Sequence, residues 1–368
     1  MQHTTISDSC LRWLSLSLFE QRSPEFWLTW LTHNQLSVEE AFNLPRQALL
    51  DKGLTEPDCT AFKLDRKEVT QAVSWYSPPD SRVIIDIENA NYPESLRQLT
   101  SPPLVLYCEG NAALLRQRQI AIVGSRKATL QGAGLARDFA AELGSVGLTV
   151  TSGLALGIDG AAHKGACATP GNTLAVMGAG LQHIHPKSHA KLARQLVDNG
   201  GCLVSEFAPG VSPRPYHFPR RNRIIAALSD GVLVVEAKIK SGSMITANLA
   251  ADAGKEVFAI PGNIKHPLTE GPHYLIQQGA KLTTCVADML EELGIELADT
   301  CDEEAARQQG LAFESASGLL AHVDTEFTSV DDLAARSGLS VSQVMADMLE
   351  YELVGKVSAV PGGYVRVS

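Results

Sequence analysis

Residues 120–134 read IAIVGSRKATLQGAG. An unbroken apolar run ends on Gly124, the chain turns through Ser125 and Arg126, and small, helix-tolerant residues follow. That order is what a strand covered on both faces shows when it feeds a helix through a tight turn. Five more such runs follow: LTVTSG from 148, TLAVMG from 173, CLVSE from 202, GVLVVEA from 231 and EVFAIPG from 256, with helix-like segments between them. Short Val-, Ile- and Leu-rich runs alternating with helices predict an α/β fold built on a doubly wound parallel sheet.

The flanks differ in pattern. LRWLSLSLF, PEFWLTWL and VEEAFNLPRQALL have helical spacing without strand alternation, and SWYSPPDSR at 74–82 breaks the chain with prolines. The reading is an N-terminal helical accessory domain at 1–78 and a sheet domain at 79–293. The acidic, Ala- and Gln-rich stretch at 294–317 reads as a linker. Residues 318–368 give a helix, a turn at Ser337 and Gly338, a second amphipathic helix and two strands about PGG, the order of a winged-helix-like domain.

Composition sets further bounds. Among the 368 residues no run of eighteen apolar residues occurs, and MQHTTISDSC lacks the basic and apolar regions of a signal peptide, so a cytoplasmic location and no membrane are expected. The seven cysteines are scattered and form no CxxC pair, which argues against a disulfide framework and a zinc site and suits small buried side chains. The net charge of −10 is unevenly spread. Between Val286 and Glu352 sixteen acids face two arginines, a net −14, so the remainder carries +4, with bases grouped around Arg126, Lys187 and Arg220. The overall acidity therefore leaves room for an anionic ligand in the middle of the chain.

Ligands of open parallel sheets bind beyond the carboxyl ends of the strands, so the residues after each run belong together. Gly124, Ser125 and Arg126 follow the first, Ser152 and Gly153 the second, Ser205 and Glu206 the fourth, and Glu236 with Ser241, Gly242 and Ser243 the fifth. Glycines admit backbone amides to an anion, serines add hydroxyl donors and helix N-termini add favourable dipoles, which makes a phosphate-binding crest. Neither GxGxxG nor GxxxxGK[ST] is present, so a dinucleotide or ATP site loses its support and no cofactor is expected. Arg126 at the tip of the turn offers bidentate bonds to a phosphate. HIHPKSHAKLARQL adds Lys187, Lys191 and Arg194. PRPYHFPRRNRIIAALS interleaves Tyr216, His217 and Phe218 with Arg214, Arg220, Arg221 and Arg223. Rings for bases beside cations for phosphates suit a groove for a single strand, and a solvated loop with core aromatics is the plain alternative. His183, His185 and His189 are interrupted by Pro186 and have no nearby carboxylate, which disfavours a metal. Asp159 and His163, four apart, fit an orienting hydrogen bond better than a catalytic dyad, and no serine sits in a GxSxG elbow, so no catalytic residue is assigned.

The ordered series IAIVGSR, TSGLALGIDGAAH, FPRRNRIIAALS, VLVVEA, SGSMITA, FAIPGNI and EGPHYLIQQGA resembles the DNA-processing protein A family (DprA, also called Smf) over most of residues 82–285. The resemblance implies an extended Rossmann-like domain that binds single-stranded DNA as a homodimer and helps load the RecA recombinase in natural transformation, without catalytic turnover. It implies that Arg126 and Lys187 grip phosphates, and that Arg214, Phe218, Arg220, Arg221, Asn222 and Arg223 line the same groove. The chain departs from the family's usual Tyr-Pro followed by Asn, having His185, Pro186 and His189 there. Two other readings are kept. A nucleotide phosphoribohydrolase of the lysine-decarboxylase-like type would need a glutamate in a PGGxGTxxE stretch, where this chain has SGSMITANLA. A sequence-specific regulator acting through the tail is disfavoured by Asp347, Glu350 and Glu352 on its second helix, which repel phosphates.

Overall fold

The structure, a computed structural model, describes residues 6–77, 81–168, 173–295, 318–324, 327–353 and 356–366. Most of the expected linker, residues 296–317, lies outside the described residues. The chain forms two compact units, one of residues 1–128 and 135–295 and one of residues 129–134 and 296–368.

The first unit begins with five helices: α1 (Asp8–Ser17), α2 (Pro24–His33), α3 (Val38–Asn43), α4 (Arg46–Asp51) and α5 (Lys67–Trp75). Their starts are written locally. The side chains of Ser7 and Ser23 accept from backbone amides at their helix N-termini, and Ser37 with Glu40 forms a reciprocal capping box. Trp27 is fully buried and meets Phe19, Phe26 and Phe62 edge-on. The helices share a hydrophobic core with the edge of the sheet. Cys10 Sγ donates to Ile84 O, and Trp75 meets Tyr107 edge-on at 5.9 Å.

The sheet has nine strands: β1 (Arg82–Asp86), β2 (Val105–Gly110), β3 (Gln119–Val123), β4 (Thr149–Ser152), β5 (Thr173–Val176), β6 (Cys202–Ser205), β7 (Gly231–Val234), β8 (Glu256–Ala259) and β9 (Lys281–Leu282). Their spatial order is β1-β2-β6-β5-β4-β3-β7-β8-β9. The six runs read from the sequence are β3 to β8, and β3 to β9 are mutually parallel. The expectation of a parallel sheet is amended at one edge, where β2 pairs antiparallel with β6 and β1 antiparallel with β2. Along β3, Ala121 and Val123 enter one core while Ile120 and Ile122 enter the other, so both faces are covered and the apolar run is unbroken.

The connecting helices are α6 (Glu94–Arg97), α7 (Leu130–Ser145), α8 (Ile158–Ala166), α9 (Ala190–Asp198), α10 (His217–Leu228), α11 (Gly242–Asp252), α12 (Glu270–Gln277) and α13 (Val286–Glu292). No helix among the described residues is long and apolar enough to cross a membrane.

The second unit carries α14 (Val330–Ser337) and α15 (Val341–Leu353) with a three-stranded antiparallel sheet of β10 (Thr328–Ser329), β11 (Val357–Val360) and β12 (Gly363–Arg366), ordered β10-β12-β11. Gly338, at φ +71°, ends α14 in the left-handed conformation, at the turn read from the sequence. Leu333, Val344, Met348 and Val357 form the small core.

Candidate functional site

From β3 the sheet grows through β4 and β5 to β6 on one side, and from β7 through β8 to β9 on the other. The junction of β3 and β7 is thus the point where the winding reverses, and a crevice opens above it at the carboxyl ends of both strands. A groove of about 580 Å³ occupies this crevice.

Its floor is the turn after β3. A Cβ on Gly124 would lie 2.5 Å from Ile158 Cγ1 and 2.9 Å from Glu236 O, so only glycine fits. Ser125 N donates to Glu236 O at 2.6 Å, and Ser243 Oγ donates to Gly124 O at 2.8 Å, tying this turn to the segment after β7. Ile158 N donates to Ser125 O at 3.2 Å from the start of α8, behind the cap residue Gly157 at φ +74°. The turn is held from two sides, and Arg126 and Lys127 stand exposed beyond it.

One wall is α10. Phe218, Arg221, Asn222 and Ile225 line the groove at the i, i+3, i+4, i+7 spacing of a single helical face. The Arg126 guanidinium lies 5.5 Å from the centroid of Phe218, a cation–π contact, and His185 meets the same ring at 5.5 Å. Asn222 Nδ2 donates to Gly242 O at 3.1 Å and docks α10 to the start of α11.

The other wall is the segment Lys238–Ser243 with the N-terminus of α11. Ser241 is the N-cap, but its side chain caps nothing, and its Oγ is buried with no hydrogen-bond partner among the described residues. Arg221 Nε is likewise buried and unpartnered. Two donors without a partner thus belong to residues that line one groove, at and near the N-terminus of α11, where the helix dipole favours negative charge.

Arg221 is 3% exposed, and burial lowers its pKa to about 10. Asp159 is its counter-charge. Burial raises the pKa of that carboxyl, opposed by the positive charge of Arg221 and by amide bonds from Ala155 and Gly153. Arg126, Lys127, Lys238 and Lys240 form no ion pair among the described residues, which leaves the groove positive.

The structure brings Gly124, Ser125, Arg126, Phe218, Arg221, Asn222, Ser241 and Gly242 together around the groove. It places other expected residues elsewhere. Ser152, expected on the phosphate-binding crest, lies beneath it instead, fully buried, with Oγ donating to Ile122 O at 2.6 Å. Gly153 packs under the Arg221 guanidinium. Arg220 and Arg223 turn away to the buried Glu206 carboxylate at 2.9 and 2.5 Å. Arg214 is exposed, donating to Tyr216 Oη at 2.8 Å, and Lys187 is exposed two residues beyond His185. Lys127, Lys238 and Lys240 line the groove without having been singled out. The signal for Lys238 and Lys240 was available in KIKSGS, cations placed directly before a helix start, and that for Lys127 in its place next to Arg126.

The other constellations are structural. His163 is fully buried, and burial drives its pKa down to about 3. Thr173 Oγ1 donates to Val150 O and so accepts from His163 Nδ1, leaving Nε2 to accept from Leu154 N. Asp159 instead accepts from Gly153 N at 3.1 Å. His183 meets Gly210 O and His189 meets Leu154 O, so with His185 at Phe218 the three rings are engaged separately.

Comparison with known proteins is consistent with this architecture. A model of the DNA recombination-mediator protein A family matches residues 83–294, and one of the DprA winged helix domain matches residues 305–363. The chain is 44% identical to Protein Smf of Escherichia coli over 336 residues, 90% of this chain and 89% of that protein. It is 43% identical to the DNA processing protein DprA of Bacillus subtilis over 210 residues, 57% of this chain and 70% of that protein. Among solved structures, DNA processing protein A of Streptococcus pneumoniae superposes with a TM-score of 0.66 at 34% identity, covering 78% of this chain and 99% of that one. DNA processing protein A of Helicobacter pylori, solved to describe its single-stranded DNA binding mode, gives a TM-score of 0.53 at 30% identity over 58% of this chain and 97% of that one. The sheet order, the crevice at its reversal and these matches agree: the chain belongs to the DNA recombination-mediator protein A family, the DprA or Smf proteins.

Proposed function

We propose that the chain binds single-stranded DNA along this groove, without catalytic turnover, and passes the strand to the RecA recombinase during natural transformation as a cytoplasmic homodimer. The observation that carries the reading is the pair of orphaned buried donors, Ser241 Oγ and Arg221 Nε, in a groove rimmed by four exposed cations. Phosphate oxygens would accept from both and from the first amides of α11. Phe218, under the Arg126 guanidinium, offers a face to a base. Lys187 and Arg214, exposed outside the lining, would extend the positive surface, while Ser152, Gly153 and Arg221 support the crest and the wall from within and Arg220 and Arg223 are committed to Glu206. The relative from Helicobacter pylori, described with single-stranded DNA, supports the substrate class. The only carboxylate among the residues lining the groove is Asp159, held by backbone amides and facing Arg221, which favours binding over nucleotide hydrolysis.

Fluorescence anisotropy of one labelled sequence as single strand and as duplex, titrated across salt, tests this. The wild type is expected to prefer the single strand. Arg126→Ala is expected to weaken binding regardless of sequence and to reduce the salt slope by about 0.7, one phosphate contact. An unchanged slope and affinity would remove Arg126 from the site, and release of free base from a nucleoside monophosphate would favour the phosphoribohydrolase. RecA transfer is read from the rate of RecA filament formation on coated single strands with and without the protein. Sedimentation equilibrium reads the dimer.

A further inference from the structure

Tyr216 has no part in the groove, yet its surroundings set it apart from an ordinary surface tyrosine. Its residue is 60% exposed, a large ring in water. It is also held in place. Arg214 Nη1 donates to Tyr216 Oη at 2.8 Å, and the ring stands edge-on to His217 at 4.6 Å and 82°. His217 is buried and stacks on Phe207 at 4.1 Å and 24°, and the Arg220 guanidinium covers Phe207 at 5.5 Å. Behind Tyr216 there is therefore a packed column of ring, ring and guanidinium. The conformational cost of ordering the exposed ring is already met in the free protein.

The position matters as much as the rigidity. Pro215, Phe218 and Pro219 line the groove on either side of Tyr216 in sequence. Residues two apart at a helix start point roughly 200° apart around its axis. Phe218 lines the groove, and Tyr216, next to the lining residue Pro215, does not. Arg214 is bonded to the ring's hydroxyl, Arg220 lies near His217 behind it, and Glu20 is the acid near Arg214 and His217.

We propose that Tyr216 is a second base-stacking platform: a single strand whose phosphates sit in the groove leaves it across the start of α10, lays a base on the Tyr216 ring and sets the next phosphate beside Arg214. This rests on the single-strand reading of the groove. It adds a subsite that recognises bases through their faces, independent of sequence, and that duplex DNA cannot use because its bases are already stacked.

The test uses the full chain and two labelled oligomers of equal length, about 20 nucleotides, one of thymidine and one with abasic sites throughout, which keep the phosphates and remove the bases. Tyr216→Ala is expected to lose about tenfold in affinity for the thymidine oligomer and nothing for the abasic one, whereas Tyr216→Phe, which keeps the ring and loses only the bond from Arg214, retains most of the wild-type binding. Equal affinity of Tyr216→Ala and wild type for the thymidine oligomer overturns the proposal, as does an equal loss on both oligomers. Arg126→Ala in parallel separates the two readings. If it weakens both oligomers while Tyr216→Ala changes neither, the platform falls and the groove stands; if the wild type binds neither oligomer, the groove reading falls as well.

Discussion

Arg221 and Asp159 are both buried in the lining of the groove, and Gly153 lies between them. The Gly153 amide donates to Asp159 Oδ2 at 3.1 Å, and a Cβ on that glycine would sit 2.2 Å from Arg221 Nη1. Removing one member of a buried pair of opposite charges leaves the other without compensation, a loss on the order of 3–5 kcal/mol. Asp159→Ala is expected to destabilise the protein by about that amount in urea unfolding. Adding Arg221→Met to it should recover much of the loss, and strictly additive single effects would show that the two do not act as a pair.

A second pair predicts an acid limit. Asp58, with a side chain 1% exposed, accepts from Arg22 Nε and Nη2, both at 2.8 Å, and from Thr55. The Arg22 bond, opposed by burial and helped by Thr55, holds its carboxyl at about 2 against an ordinary 3.8. Folding therefore favours the ionised form. Its contribution, about 2 kcal/mol, is complete above pH 4 and is lost as pH falls toward 2. Asp58→Asn should flatten the fall in unfolding free energy between pH 5 and 3 relative to wild type.

Lys255 is expected to matter for the wall of the groove although it lies outside it. Its Nζ donates to Ala226 O at 3.1 Å and to Ser229 O at 2.6 Å, and also to Ala227 O, so one ammonium closes the carbonyl end of α10. Lys255→Met should cost about 2 kcal/mol in urea unfolding. Hydrogen exchange should quicken first at the carbonyl end of α10.

Lys238→Ala and Lys240→Ala should each reduce the salt slope of single-strand binding by about 0.7, as for Arg126. Lys191→Ala, on α9 and absent from the groove lining, should leave the slope unchanged. A slope that responds equally to all three would mean general charge attraction with no seated phosphates.

Periodicity was enough for the strands that make the groove, because β3 to β8 are covered on both faces and their residues must be apolar without a break. It was not enough for β1 and β2. RVIID and VLYCEG are also apolar, but their antiparallel direction is decided by the pairing of β2 with β6, Tyr107 opposite Ser205, across almost a hundred residues. The crest was legible at Gly124, Arg126 and Ser241, where residue type follows from backbone approach and donor chemistry. The arginines of PRRNR could not be sorted by type. Arg221 turns inward, its Nη1 donating to Val176 O with the charge of Asp159 acting on it, and Arg223 turns to Glu206, so each burial depends on groups supplied by a distant segment.

The adjacency of β3 and β7 also has a temporal side. The ties between the Gly124–Ser125 turn and residues Glu236 and Ser243 join segments more than a hundred positions apart. A nascent chain that has presented the glycine turn but not yet α11 has one wall and no groove. The proposed anion site is complete only once that segment has been made, so ribosome-bound fragments ending before residue 241 are expected to leave single strands alone.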